Sequence, residues 1–216
     1  MRAFLKKTLS EQRLTTYEAL AQKPHETRTA EKLYGLNLLY SKELYVILAG
    51  LEIVVRNTFH TAIQNYYQTP NWMSMSLLQH KHQRQVDDAN SRLILLKRNN
   101  YAIDDLIAQL NFGFWVHLCD RPYEKTIWKN ALFKCFSHLG KKPDRKEIES
   151  DLKVCHKLRN KIAHLEPIIK YESTLIQDYR TALNLMYAIS PEAQEWFKLL
   201  SNFERVWENR YEGKSE

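Results

Sequence analysis

Residues Leu48 to Ile63 read LAGLEIVVRNTFHTAI, and the reading of this stretch decides the fold. Apolar side chains lie on most sides of a helix drawn through it, so a central, largely buried helix is expected. Glu52, Arg56 and His60 nevertheless recur at i, i+4 and i+8 and draw one narrow polar stripe, with Asn57 beside it. Glutamate four residues before arginine is the favourable order for an ion pair within a helix. On an apolar helix such a pair is costly to desolvate and adds little stability, so it points to positioning or catalysis. A pair that only holds helices in register is the plain alternative.

Outward from this stretch the periodicity stays helical. A long helical region is expected from about Thr29 to Tyr67, broken near Ser41 or Gly50 and ended by QTPNW. A helix over about 10–21 precedes it, joined by the polar connection AQKPHETRT. After it come a charged helix over about 79–98, a turn at Asn99 and Asn100, a helix in DDLIAQLNFGFWVHLC and a shorter one in YEKTIWKNALFKCF. The segment DRKEIESDLKVCHKLRNKIAH opens with Asp144 and Glu147 at capping-box spacing and stops at Pro167. A further helix covers about 172–188, and Ser190 as N-cap with Pro191 at the first helical position starts a last one over about 190–210. Five glycines and six prolines in 216 residues argue against a many-turned β architecture. The expected fold is all-α, one domain over 1–216 with its bundle core at about 29–188.

Lysine and arginine outnumber aspartate and glutamate by 32 to 25, a net charge of +7, which favours a polyanion as partner. The three cysteines, Cys119, Cys135 and Cys155, form no CxxC and suit reduced thiols in the cytoplasm. The N-terminal residues lack the apolar run of a signal peptide, and YVILAGLEIVV is interrupted by Glu52, so no membrane partner is expected. Without GxxxxGK[ST], GxGxxG or HExxH, nothing supports nucleotide hydrolysis or zinc proteolysis.

A second constellation lies in LRNKIAHLEP, residues 158–167. At about 100° per residue, Leu152, Val154, Cys155, Leu158, Ile162 and Leu165 make one apolar arc, with His156, Asn160 and His164 opposite. Asn160 and His164 project together, and Arg159 sits at the edge of the arc, where its long stem can swing either way. Residue types alone make this a solvated helix face. Cys135 and His138 with Cys155 and His156 are spaced too loosely for zinc, His80 and His82 are expected to face solvent, and the aromatic run FGFWVHL is expected to pack the core.

RNKIAHLEP resembles the R-x4-6-H motif of the HEPN superfamily, with Arg159 and His164 at its ends. LYGLNLLYSKELYVILAGLEIVVRN, NFGFWVHL and LRNKIAHLEPI, in that order, resemble the bacterial Abi-like (abortive infection) family, and LSEQRLTTYEAL is similar to that family's opening segment. The resemblance spans about residues 8 to 185. It implies an all-α HEPN-like bundle with additional helices that dimerises and cuts RNA without metal or other cofactor, as a toxin-like step in phage defence, with a neutralising antitoxin as a further partner. Arg159, Asn160 and His164 would be catalytic, Glu52, Arg56 and Asn57 would support them, and Lys157, Lys161 and His60 would contact RNA. The chemistry suits these side chains. When the RNA 2′-hydroxyl attacks the adjacent phosphorus, histidine can move the protons and arginine can hold the phosphate oxygens. A non-catalytic module that binds RNA or protein is the other reading.

Overall fold

The computed structural model describes residues 3–97 and 100–212. Helix α1 (Ala3–Leu9) and α2 (Glu11–Ala21) lead into α3 (Ala30–Tyr67). Beyond it come α4 (His80–Lys97), α5 (Ile103–Gln109), α6 (Phe112–His117), α7 (Arg145–Ala163), α8 (Glu172–Ile189), α9 (Pro191–Leu200) and α10 (Phe203–Glu208). The fold is all-α, with no strand among the described residues. No helix there is long and apolar enough to cross a membrane.

Helix α3 runs unbroken for 38 residues, against the expected interruption. Ser41 returns its hydroxyl to the Asn37 carbonyl four residues back, at 2.8 Å, so it competes for no other backbone geometry. Gly50 serves a close approach and breaks nothing. A methyl group there would lie 2.6 Å from the Phe197 ring of α9. Thr29 caps the start by accepting the Lys32 N–H, and left-handed Gln68 ends the helix.

Around α3 pack α2, α7, α8 and α9, with α6 and α10 at its flanks. Leu44, Ile47, Leu51, Val55, Phe59 and Ile63 of α3 are buried in one apolar core with Trp72, Trp115, Phe136 and Phe203. Each such side chain contributes about 1.5–3 kcal/mol on burial, which fixes the helix that carries Glu52.

Other expected boundaries shift for local reasons. The helix expected across DDLIAQLNFGFWVHLC is two, because Asn111 accepts the Phe114 N–H through its side chain and starts α6 afresh. The expected short helix at 123–136 is a chain of tight turns, with a π-turn at Glu124–Trp128 and a 3-10 turn at Leu132–Phe136. The last helix divides at Ser201, where the buried Glu43 carboxylate takes the Asn202 N–H at 2.6 Å. Asp144 caps α7 as expected, but Glu147 turns to Lys141 at 2.7 Å, leaving the capping box half made. Asn99 of the expected turn lies outside the described residues. The polar connection before α3 holds a buried cluster: Arg28 binds Glu26 and Glu172 at 2.7 Å, and Tyr40 donates to Glu172 at 2.7 Å.

Candidate functional site

The polar stripe on α3 and the motif on α7 meet, through different partners than their spacing suggests. The expected pair of Glu52 with Arg56 is not formed. Glu52 Oε2 accepts from Arg159 Nε of α7 at 3.0 Å, while Arg56 Nε donates to the neighbouring Asn57 Oδ1 at 3.2 Å. A carboxylate on the central helix thus fixes the guanidinium of an arginine on another. Among the described residues the two terminal nitrogens of Arg159 have no hydrogen-bond partner, and the side chain is 29% exposed. A planar guanidinium held this way presents a ready fork for an oxyanion.

One turn before it on α7, His156 sits against α6. Its ring meets the edge of Phe112, with centroids 5.7 Å apart. Gly113 makes the approach possible, since a methyl group there would lie 2.9 Å from His156 Cε1. Asn160 Nδ2 donates to His156 Nε2 at 3.0 Å, so this nitrogen carries no proton and the ring is neutral. Burial, then the neighbouring His117 and Arg159, hold the His156 pKa below the ordinary histidine value.

At the end of α6, His117 lies with its ring centroid 6.3 Å from that of His156. Its Nδ1 donates to Asp120 Oδ2 at 2.8 Å, which leaves Nε2 for other contacts. Lys153 forms an ion pair with Asp120 at 2.8 Å and a hydrogen bond to Glu149 at 2.6 Å. Burial raises the Asp120 pKa, but Lys153 and His117 outweigh it and keep the carboxyl below its ordinary value. A third ring, His82, stacks on His117 with centroids 5.9 Å apart, and its Nδ1 is bonded to the Tyr123 hydroxyl.

These groups open on a cleft of about 260 Å³ between α4, α6 and α7. His117, His156, Arg159 and Asn160 line it, with Lys81 and Gln85 entering from α4 and Asn111 from the cap of α6. No carboxylate is among its lining residues. A cleft with a cation-rich wall, neutral amides and an imidazole lone pair suits a phosphate diester better than a cation or an apolar ligand.

His164 is not part of this cleft. It caps the C-terminus of α7, exposed, and lines a separate groove with Arg13, Thr16 and Glu166. Leu165 takes a left-handed φ of 55° and Glu166 returns its N–H to the Lys161 carbonyl at 2.9 Å, which turns the chain out of the helix before Pro167. Leu165 therefore leaves the expected apolar arc, at 62% exposure. His60, expected to contact RNA from the surface, is buried, with Nδ1 accepting the Trp72 indole N–H at 3.1 Å. Lys157 is exposed, Lys161 lies over the Tyr171 ring at 3.2 Å, and Asn57 is exposed and lines a different pocket with Thr58 and Lys134. His82, expected in solvent, is buried.

Sequence reasoning missed His117, Asp120 and Lys81, and saw His156 as part of a polar face and in a zinc spacing that it set aside. Two signals were available. His117 and Asp120 stand three residues apart, and Gly113 occupies a helix that otherwise has no use for glycine. No protein-family model, curated protein or solved structure matches this chain.

Proposed function

We propose that this protein is a metal-independent endoribonuclease of the HEPN type, and that Arg159 holds the scissile phosphate. The observation that carries the proposal is the arginine fork anchored by Glu52 in a carboxylate-free cleft shared with Asn160 and two imidazoles. The net charge of +7 and the resemblance of RNKIAHLEP to the R-x4-6-H motif support RNA as substrate. Cleavage needs a proton removed from the 2′-hydroxyl, charge stabilised on the phosphate and a proton given to the 5′-oxygen, and no metal is required for any of these. The Abi-like resemblance extends the proposal to phage defence in the cytoplasm, to a HEPN-like bundle that pairs with a second copy, and to restraint by a neutralising partner.

Purified protein incubated with total RNA in EDTA is expected to give fragments ending in 2′,3′-cyclic phosphate and beginning with 5′-hydroxyl. Cleavage that depends on added divalent metal contradicts the proposal. One observation favours the binding-module reading: Arg159 and His164 line separate grooves, so the two ends of the motif do not act together within one chain. Tight binding of RNA with no cleavage in the same incubation selects that reading.

A further inference from the structure

We infer that His117 and His156 of the same chain form a proton-transfer pair in the Arg159 cleft. The inference rests on the ribonuclease reading above and names residues that the R-x4-6-H motif does not contain. Three observations carry it. First, both imidazoles line the cleft that holds Arg159 and Asn160, and His164 lines another. Second, the two rings are 6.3 Å apart between centroids, a spacing from which both can reach oxygens on one phosphorus. Third, the two rings are held by different partners, the Asn160 amide on His156 and the Asp120 carboxylate on His117.

His156 is the base. Its Nε2 is the unprotonated nitrogen, held by the Asn160 amide until substrate arrives. The charged and titratable groups around it are Lys81 of α4, His117 of α6, Arg159 of its own helix and, behind Arg159, Glu52 of α3. The nearest are cationic or can become so, and they disfavour a second positive charge on the ring. His117 is the acid. Asp120 accepts its Nδ1–H, which orients the ring and turns Nε2 to the substrate.

The step balances within these residues. The 2′-hydroxyl proton passes to His156 Nε2 as the 2′-oxygen bonds to phosphorus. The bond from phosphorus to the 5′-oxygen breaks, and that oxygen takes the proton from His117 Nε2. Arg159 neutralises the charge on the non-bridging oxygens, and Asn160, released from His156, turns to the same phosphate. The products are a 2′,3′-cyclic phosphate and a 5′-hydroxyl. Solvent then takes a proton from His156 and returns one to His117.

The test compares His117→Gln, His156→Gln and, as a control, His80→Gln at an exposed histidine of α4, each checked for its helical circular dichroism, on a short RNA in EDTA. The first two are expected to slow cleavage by about 10²- to 10⁴-fold each, and His80→Gln to leave it unchanged. A nucleoside 3′-aryl phosphate, whose leaving group needs no proton, separates the roles. It is expected to restore the rate of His117→Gln and not that of His156→Gln. A His117→Gln protein equally inactive on the aryl ester overturns the acid role. Cleavage retained in both His117→Gln and His156→Gln overturns the pair and leaves the ribonuclease reading standing. A wild-type protein that cuts no RNA overturns both.

Discussion

Of the arginines held by glutamates, Arg28 and Arg159 end in opposite conditions. Arg28, 4% exposed in its side chain, spends Nε and both terminal nitrogens on four hydrogen bonds to Glu26 and Glu172, all at 2.7 Å, with Tyr211 stacked 4.6 Å from its centre. Arg159 spends only Nε, on Glu52, and offers the rest to a cleft. A guanidinium has five donors. In Arg28 four are consumed by the protein, and the cluster ties the segment before α3 to the start of α8. In Arg159 the carboxylate fixes direction and leaves binding capacity. The same pairing rule makes a staple in one place and a receptor in the other, and the difference lies in how many donors remain.

The largest expected effect tests the staple. Arg28→Ala leaves two half-enclosed carboxylates facing each other and is expected to cost about 3–5 kcal/mol in urea unfolding, with cleavage per folded molecule unchanged. Arg159→Ala is expected to do the reverse. Removing one preorganised donor at the developing charge lowers the single-turnover rate by about 10²- to 10³-fold. Its unfolding free energy should move by only about 1 kcal/mol, because Arg56, one turn along α3, can swing to the vacated Glu52. A comparable stability loss in both variants would erase the distinction.

Gly113→Ala sharpens the comparison by leaving both arginines in place. The added methyl group meets His156 at 2.9 Å and must push the ring from the cleft. Cleavage is expected to fall about 10- to 100-fold, while helix propensity in α6 improves by about 1 kcal/mol and keeps the fold. Thermal melting beside the rate constant reads the two effects separately.

The smallest effect is one of pH. Hydrogen bonds from Arg28 hold the Glu26 pKa below its ordinary value, against the opposing pull of burial. The stability this contributes is complete above the unfolded value of about 4.3 and is lost as pH falls through the lowered folded value. Glu26→Gln should therefore flatten the acid side of the stability curve. His156, also lowered, is neutral in the fold, so acidification through its folded value charges it at a cost and loosens the Arg159 cleft. An acid limb that survives unchanged in His156→Gln contradicts that assignment.

The helices were largely legible because burial writes a strong period into sequence. Leu44, Ile47, Leu51, Val55 and Phe59 mark α3, and caps such as Thr29, Asp144 and Ser190 mark starts that the structure keeps. The site was half legible. Arg159 and Asn160 stood out by residue type, but partners far apart in sequence leave no period, so the local i, i+4 rule assigned Glu52 to Arg56 when its ligand lay 107 residues away. His60 and His82 were misread for a related reason. A histidine bonded to Trp72 or Tyr123 carries no local sign of burial.

The central claim is that Arg159 keeps donors free for a phosphate, and guanidinium nitrogen spectra of the intact protein test it directly. The probe is a dinucleotide whose 2′-deoxy sugar prevents cleavage, titrated while the Arg159 and Arg28 signals are followed, each assigned by its alanine variant. The account predicts saturable shifts of the Arg159 terminal nitrogens with those of Arg28 unmoved. An Arg159 signal unmoved at dinucleotide concentrations that saturate binding contradicts it.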